Sequence, residues 1–407
     1  MKIALLHYSA PPIIGGVESV LAQHARLMAS AGHEVRVIAG RGGVFDRRIQ
    51  FVSVPLLDSR HSTILDCKTQ LDKGLIPQSF SLLTEEIAAR LKPALTGVDL
   101  LIAHNVCSLH KNLPLTAALE RIRHQPDSPK LVLWHHDLAW TSARYRGELH
   151  AGHPWDMLRR PWPGTTLVTI SAFRRQELAQ LLDIPADQIR VIPNGLDAAR
   201  FLKLAAKTTE LAGKLDLWNA APLLLLPVRI TKRKNLELAL NAMAALLARL
   251  PEARLVITGP AGAHNPANQQ YFADLKSLQS GLGLENSVAF LADLQPEGLP
   301  DEVVADLYRI SDAVLLPSWE EGFGIPLIEA GFSGIPAFCS DIPSLRELGG
   351  SGVSYFPPGS APQQVAALIA DTLEGNPQYR QRSRMRRDYR WETIYARHLV
   401  PLLEEAQ

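Results

Sequence analysis

Residues 318–330 read SWEEGFGIPLIEA, and this stretch decides how the rest of the chain is interpreted. It follows an apolar run at 312–317 that predicts a buried strand, and it ends in residues typical of a helix start. The predicted unit is a strand, a glycine-bearing turn and a helix. Gly322 and Gly324 let backbone N–H groups approach a bound anion, and the helix N-terminus adds partial positive charge. The pattern therefore favours a phosphate site.

Two carboxylates flank this turn. Seven residues separate Glu321 from Glu329. Because a carboxylate repels a phosphate, we expect both side chains to accept hydrogen bonds from hydroxyl groups, such as those of a ribose or a sugar ring. Phosphate and hydroxyl recognition together indicate a nucleotide-sugar. For the spacing alone, two solvated glutamates at a helix start are an equally good explanation.

A cluster of cations follows another predicted strand, at 223–228. Residues 229–235 read RITKRKN and stand at the carboxyl end of that strand, where parallel α/β proteins bind their ligands. A charge-assisted hydrogen bond from Arg or Lys to phosphate contributes about 1.5–3 kcal/mol, more than the roughly 0.3–1 kcal/mol of an exposed helix dipole. Cations should therefore dominate the stabilisation of a diphosphate leaving group, unless the segment is only a solvated basic loop.

The segment EEGFGIPLIEA resembles the signature of the retaining glycosyltransferases of family 4, which have the GT-B architecture. The resemblance implies that Glu321 lies against the donor sugar and that Glu329 binds the ribose. It also implies that the amides of Gly322, Phe323 and Gly324 hold the diphosphate. The donor would be a nucleotide-sugar, and the reaction would be hexosyl transfer to the hydroxyl of a small-molecule or glycan acceptor.

Further positions match the same family. The family carries an arginine and a lysine five residues apart after the strand at 223–228, which here are Arg229 and Lys234. It places a histidine and an aspartate after a strand of the first domain, and His136 in the run HHD matches the histidine that faces the donor sugar. A glycine pair, Gly15 and Gly16, matches a loop whose amides meet the β-phosphate or the acceptor. Without the resemblance, two histidines at a strand end could equally be metal ligands, a base or capped loop residues.

We expect neither a metal nor a cofactor. The chain contains no Asp-x-Asp triplet, which is the usual device for holding a divalent cation on a diphosphate in the other large glycosyltransferase fold. Arg229 and Lys234 would neutralise the diphosphate instead. No carboxylate nucleophile is identifiable, so the hypothesis is a same-face substitution in which the leaving phosphate oxygen accepts the proton of the acceptor.

Length and composition place limits on the class of protein. A chain of 407 residues predicts two domains of about 200 residues each, and 46% apolar and 20% charged residues are typical of a globular protein. A net charge of +1 argues against a nucleic-acid binder. Three scattered cysteines indicate a reducing compartment, and the N-terminal apolar run is too short for a signal peptide. We therefore expect a cytoplasmic protein, at most peripheral to a membrane.

Strand and helix patterns alternate along both halves of the chain. This predicts α/β architecture with two doubly wound, Rossmann-like domains that face each other across a cleft. The expected domains are 1–195, on the acceptor side, and 196–390, which binds the nucleotide-sugar donor. A C-terminal helix at about 391–407 is expected to cross back to the first domain. The segments 40–80 and 139–164 fit this pattern poorly and are expected to be long loops.

Arginines form two notable groups. Residues 139–164 combine arginines with tryptophans, and a run of six arginines lies between 380 and 390. A solvated helix face is the simpler interpretation of that run, and contact with phosphate or an anionic membrane is the second.

Two other functions remain open. A nucleotide-sugar 2-epimerase shares the two-domain architecture, and a non-catalytic nucleotide-sugar-binding subunit would conserve the fold. The sequence does not distinguish GDP-mannose from a UDP-hexose as donor, and it does not identify the acceptor.

Overall fold

The computed structural model describes residues 1–260 and 266–406, which form two units of parallel β-sheet covered by helices. The first unit consists of Met1–Gly195 with the segment that begins at Trp391, and the second consists of Leu196–Arg390. The prediction of two doubly wound α/β domains is confirmed.

All strands of both sheets run parallel to their neighbours. In chain order they are β1 Lys2–Ser9, β2 Glu34–Arg41, β3 Ile49–Ser53, β4 Leu100–His104, β5 Lys130–His135, β6 Thr166–Thr169, β7 Ile189–Val191, β8 Leu223–Leu226, β9 Arg254–Ile257, β10 Val288–Phe290, β11 Ala313–Leu316, β12 Ala337–Ser340 and β13 Ser354–Phe356. The spatial order is β3-β2-β1-β4-β5-β6-β7 in the first sheet and β10-β9-β8-β11-β12-β13 in the second.

The helices cover both faces of these sheets. In chain order they are α1 Gly16–Ser30, α2 Ser62–Leu71, α3 Ser79–Leu95, α4 Leu113–Ile122, α5 Ala172–Leu182, α6 Ala198–Phe201, α7 Ala206–Lys214, α8 Leu236–Leu247, α9 Pro266–Gly281, α10 Asp301–Ile310, α11 Ile325–Ser333, α12 Pro343–Gly349, α13 Pro362–Gly375, α14 Pro377–Asp388, α15 Trp391–Ile394 and α16 Val400–Glu405.

The central strands are mostly apolar because both of their faces are buried. In β1, Ile3 and Leu5 belong to the core on one side of the first sheet, whereas Leu6 and Tyr8 belong to the core on the other side. This alternation follows from the twofold repeat of a strand, and helices on both faces leave no side of the sheet to solvent. In the second unit, every residue of β8 and β11 is buried in a single core.

In both sheets, the order in which successive strands are added along the chain reverses at one strand. Strand β1 pairs with β2 on one side and β4 on the other, and β8 pairs with β9 on one side and β11 on the other. Ligands of open α/β sheets bind at the carboxyl ends of the strands that flank such a point. A ligand site is therefore expected at the loops after β1 and β4, and at those after β8 and β11.

The segment 40–80 is more regular than the sequence predicted. It contains the strand β3 and also the helix α2, whose Ile64, Cys67 and Leu71 are buried. These residues recur at helical spacing, so the signal was present, but the surrounding polar residues obscured it. The segment 139–164 contains only two short 3₁₀ segments, at Ala143–Glu148 and Trp155–Leu158.

The C-terminal segment packs in the core of the first unit. Trp391, Ile394 and Leu402 belong to the same buried cluster as Ile3 and Leu5. Between α15 and α16 the helix widens into a π-turn at Tyr395–Leu399, just before Pro401, which has no N–H to continue the α-helical pattern.

Two observations concern the environment of the protein. No helix among residues 1–260 and 266–406 is both long and apolar enough to cross a bilayer. Cys67, Cys107 and Cys339 are all free thiols and all buried.

Candidate functional site

The first group of predicted residues lies at the carboxyl edge of the second sheet. Strands β8 and β11 are neighbours, so the segment 227–235 and the segment 317–324 leave the sheet side by side. The backbone joins them, because the N–H of Trp319 donates to the carbonyl of Arg233 at 2.8 Å. A third segment, which follows β9, also packs closely against the segment after β8. Its Gly259 allows this, since an added Cβ would lie 2.8 Å from the carbonyl oxygen of Val228.

A buried ion pair links the two segments. The Nζ of Lys234 lies 2.5 Å from Oε1 of Glu321, and the two side chains are only 8% and 7% exposed. The hydroxyl of Ser318 donates to the same carboxylate oxygen at 2.8 Å. The sequence placed Glu321 and Lys234 at one site but predicted no direct contact between them. Because Lys234 neutralises Glu321, a phosphate can bind nearby without facing an uncompensated carboxylate.

The thiol of Cys339, on the neighbouring strand β12, is influenced by the charge of Glu321. Burial and the Glu321 carboxylate raise the pKa of Cys339 to about 12. The thiol is therefore protonated at neutral pH and serves as a packing group rather than a nucleophile.

Arg229 differs from Lys234 in its surroundings. Its side chain is exposed, and within the described part of the chain no carboxylate lies within 4.0 Å of its guanidinium group. An exposed arginine without an acidic partner at the carboxyl edge of a sheet is available to a phosphate.

The glycine-bearing turn has the conformation that the sequence suggested for its second glycine. Gly324 has a φ of 104°, which non-glycine residues rarely adopt, and it forms the N-cap of α11. Gly322 is exposed, and an added Cβ there would meet no atom within 4 Å. Phe323, between them, is 57% exposed. The turn is therefore open to solvent at Gly322 and Phe323, and Gly324 leads the chain into α11.

Glu329 is held by a tyrosine that the sequence analysis did not identify. The hydroxyl of Tyr308, in α10, donates to Oε2 of Glu329 at 2.5 Å. Burial and this hydrogen bond raise the pKa of Tyr308, so the hydroxyl keeps its proton at neutral pH. Tyr308 therefore fixes the orientation of the Glu329 carboxylate.

Replacing Tyr308 by phenylalanine should release Glu329. The family resemblance implies that Glu329 binds the ribose of a nucleotide-sugar donor. Since a hydrogen bond to a charged group contributes about 1.5–3 kcal/mol, we expect on that basis the KM for the donor to rise roughly tenfold while kcat stays within about twofold. Tyr271→Phe is a matched control, because the Tyr271 hydroxyl donates to Glu237 at 2.5 Å in the same unit. Steady-state kinetics on both variants would test this, and an equal KM for the two would contradict the assignment.

The second group of predicted residues lies at the carboxyl edge of the first sheet, and Asn105 organises it. Asn105 follows β4 with a φ of 60°, a conformation that asparagine tolerates. Its side-chain oxygen accepts from the N–H groups of His136 and Asp137 at 3.0 Å each, and its amide donates to Asp137 at 3.1 Å. The sequence analysis missed Asn105, although its position directly after a buried strand was a usable signal.

The ring of His136 is oriented by another histidine. Its Nε2 lies 3.2 Å from Nδ1 of His104, and the neighbouring Asp137 accepts a hydrogen bond from the side-chain amide of Asn105. Burial lowers the pKa of His136 to about 4, and the nearby charge of Asp137 opposes this only partly. His136 is therefore a neutral imidazole at pH 7, which suits contact with a sugar hydroxyl better than charge stabilisation.

Further buried histidines surround this pair. Nδ1 of His7 lies 2.7 Å from the carbonyl of His104, and His24 packs against the rings of Trp134 and His104. Burial lowers the pKa of His7 to about 4 and that of His24 and His135 to about 3. These histidines are neutral at pH 7 and would have to gain charge in a buried environment. The carboxylate of Glu18 favours that charge on His7, but burial outweighs it.

The stability of the protein should therefore decrease in mild acid. Below pH 6.5 the unfolded histidines bind protons, whereas the folded ones stay neutral down to about pH 4 or 3. The unfolded state then binds more protons, so each histidine removes up to about 1.4 kcal/mol per pH unit from the free energy of unfolding. Urea unfolding between pH 7.5 and 5 would measure the slope. His24→Phe should reduce this slope, and a flat profile in the parent protein would contradict the prediction.

A carboxylate of the first turn of α1 reaches the Gly15–Gly16 loop after β1. Oε1 of Glu18 accepts from the hydroxyl of Ser9 at 2.6 Å, and an added Cβ on Gly15 would lie 2.1 Å from Oε2 of Glu18. The carboxylate of Glu18 therefore lies directly against Gly15, whereas Gly16 has open space around it. The carboxylate suits a hydroxyl beside Gly15 better than a phosphate.

One group of side chains has the composition of a metal site. Ligand atoms of Asp72, His110 and Glu148 lie within 4.8 Å of one another. The ammonium group of Lys68 lies 2.6 Å from Asp72 and 2.9 Å from Glu148, so a cation already bridges the two carboxylates. The group is therefore explained as an internal ion-pair network.

Comparison with known proteins places the chain among glycosyltransferases. Residues 209–389 match the family described as Glycosyl transferases group 1, and residues 14–200 match the one described as Glycosyltransferase Family 4. The D-inositol 3-phosphate glycosyltransferase of Frankia alni is 32% identical over 224 residues, which are 54% of this chain and 52% of that protein. The chain spans about half the length of the first such relatives.

Two longer alignments were also found. The glycogen synthase of Mycobacterium tuberculosis is 25% identical over 419 residues, which cover 97% of this chain and 92% of that protein. The structure of sucrose-phosphate synthase from Thermosynechococcus elongatus aligns over 100% of both chains at 18% identity, with a TM-score of 0.37. That score is too low to support an argument about function.

Proposed function

Because this chain belongs to glycosyltransferase family 4, we propose that it transfers a hexosyl group from a nucleotide-sugar to a hydroxyl group of an acceptor, with retention of configuration. One observation carries the proposal. At the carboxyl edge of the second sheet, Arg229, the Lys234–Glu321 pair and the N-terminus of α11 lie in the two segments that follow the neighbouring strands β8 and β11.

In this proposal the second unit, 196–390, binds the donor. Arg229 and the amides of residues 322–324 hold the diphosphate, and Glu329, oriented by Tyr308, binds the ribose. Glu321 accepts hydrogen bonds from the donor sugar. Lys234 holds Glu321 in place and cancels its charge, so that sugar and diphosphate can bind side by side.

The first unit would then provide the acceptor side. His136 contacts the donor sugar as a neutral imidazole, and Gly15 and Gly16 supply backbone contacts for the donor or the acceptor. Glu18 beside them favours a hydroxyl as the neighbouring group. The C-terminal segment supports this unit from its core.

The proposed chemical step is a same-face substitution. The bond between the anomeric carbon and the phosphate oxygen breaks, a bond to the acceptor oxygen forms on the same face, and the acceptor proton moves to the leaving phosphate oxygen. Arg229 stabilises the negative charge that develops on the diphosphate. In this scheme neither a metal nor a cofactor takes part.

The donor and acceptor are proposed only as classes. The donor is GDP-mannose or a UDP-hexose, and the acceptor is a sugar, a polyol or a glycan. The name of the Frankia relative contains a polyol phosphate, which supports a polyol among the candidates. The buried free thiols support a cytoplasmic location, where an anionic membrane is a further proposed partner.

A thermal-shift panel with UDP, GDP, ADP and their sugar conjugates tests the proposal. A ligand at a hundred times its dissociation constant adds about 2.7 kcal/mol to the free energy of unfolding, so one nucleotide series should raise the Tm clearly, with or without EDTA. No shift with any nucleotide would contradict the donor site. Release of nucleotide from the donor without any acceptor would instead favour an epimerase.

A further inference from the structure

Helix α14 carries an unusual concentration of positive charge. Its sequence, PQYRQRSRMRRD, contains five arginines and one acidic residue. Two of the arginines are engaged by acids. Arg386 is buried and binds Asp312 through two hydrogen bonds of 3.0 and 2.7 Å, and Arg387 lies 2.5 Å from Glu252. These two therefore have a structural role.

The other three arginines have no acidic partner. Within residues 1–260 and 266–406, no carboxylate lies within 4.0 Å of Arg380, Arg382 or Arg384. Arg382 donates to the backbone carbonyl of Arg309, and Arg384 lies over the ring of Tyr389 at 5.8 Å. Arg380 and Arg384 are exposed. Their charge is therefore available to an external anion.

An apolar pocket lies beside the same helix. It has a volume of about 330 Å³, and three of its lining residues are large apolar side chains left open to solvent: Leu196 at 49%, Phe201 at 69% and Met385 at 42%. Arg309, Arg382 and Arg390 are also among its lining residues, so arginine side chains surround the apolar ones. A pocket that presents apolar side chains among arginines is suited to a ligand with both an apolar part and a negative charge.

We propose that this face, formed by α14 and the pocket around Phe201 and Met385, docks the protein on a bilayer that contains anionic phospholipid. The arginines attract the lipid phosphates, and the exposed apolar side chains enter the boundary between headgroups and acyl chains. A nucleic acid would satisfy the arginines but would leave the apolar side chains in water. The proposal goes beyond glycosyl transfer and does not depend on it, because no residue of this face belongs to the proposed donor site.

Sedimentation with vesicles tests the proposal. The full chain should bind vesicles of phosphatidylglycerol and phosphatidylcholine, and should not bind pure phosphatidylcholine. Each arginine near an anionic surface strengthens binding about fivefold, so Arg380→Gln with Arg384→Gln should weaken it about 25-fold. Phe201→Ser should weaken it about tenfold.

Lys207→Gln with Lys214→Gln provides a matched control, because both lysines are exposed on α7 in the same unit and lie outside the pocket. This pair should change binding less than twofold, and every variant should keep the parent Tm. The proposal would be overturned by equal binding to both kinds of vesicle, or by equal losses in the arginine and lysine pairs. Concentration-dependent dimerisation that the Phe201 variant abolishes, without vesicle binding by the parent, would likewise overturn it and assign the face to a second copy of the chain.

Discussion

Replacing Arg229 by alanine should lower kcat more than a hundredfold. Arg229 is an exposed cation at the carboxyl end of β8 with no acidic partner among the described residues, and a preorganised donor to developing charge is typically responsible for a factor of about 10² to 10³. The loss should appear in kcat and kcat/KM together, because the contact strengthens as the diphosphate leaves. Initial rates with the donor found in the thermal-shift panel would measure it.

The fold should be unaffected by that substitution, because the side chain makes no ion pair within the described residues. Arg200→Ala is a suitable control, since Arg200 is also exposed in the second unit but lies on α6. Both variants should keep the parent Tm, and Arg200→Ala should keep full activity. A purified Arg229→Ala protein with a near-normal rate would end the assignment.

Replacing Glu321 by glutamine should both abolish transfer and destabilise the second unit. The substitution leaves the ammonium group of Lys234 buried without a counter-charge, and breaking a buried ion pair in this way costs about 3–5 kcal/mol. For a unit of this size the Tm should fall by roughly 10 °C. Calorimetry of the variant would measure the loss.

A double variant separates stability from function. In Lys234→Met with Glu321→Leu, two apolar side chains replace the pair, so most of the lost stability should return while activity stays absent. Arg249→Gln is a control at the surface, where Arg249 pairs with Asp371 and Glu374, and it should leave the Tm unchanged. If Glu321→Gln melted like the parent protein, the buried pair would have no structural importance.

The sheets could be predicted from the sequence because of how they are buried. Strands such as β8 and β11 are covered on both faces, so they appear as short runs of apolar residues between turns. The glycine-bearing turn could be predicted for a related reason, since Gly324 adopts a backbone conformation that favours glycine. In both cases the structure depends on the properties of residues that are consecutive in the sequence.

The contacts within the site could not be predicted in the same way. Lys234 and Glu321 are 87 residues apart, and only the adjacency of β8 and β11 brings them together. Asn105 can bind the backbone of His136 only because the neighbouring strands β4 and β5 end at the same level of the sheet. The hydrogen bond from Tyr308 to Glu329 joins two separate helices, α10 and α11. Such pairings depend on the order of strands in the sheet, which single-sequence patterns do not specify.

The C-terminal segment has a consequence for the order in which the chain folds during synthesis. Trp391, Ile394 and Leu402 complete the core of the first unit, but the ribosome makes them only after all of Leu196–Arg390. At roughly 5–20 residues per second, the first unit waits about 10–40 s with part of its core uncovered. We therefore expect the first unit, whose synthesis begins first, to complete its folding after the second unit. We also expect it to be the part of the nascent chain that chaperones protect.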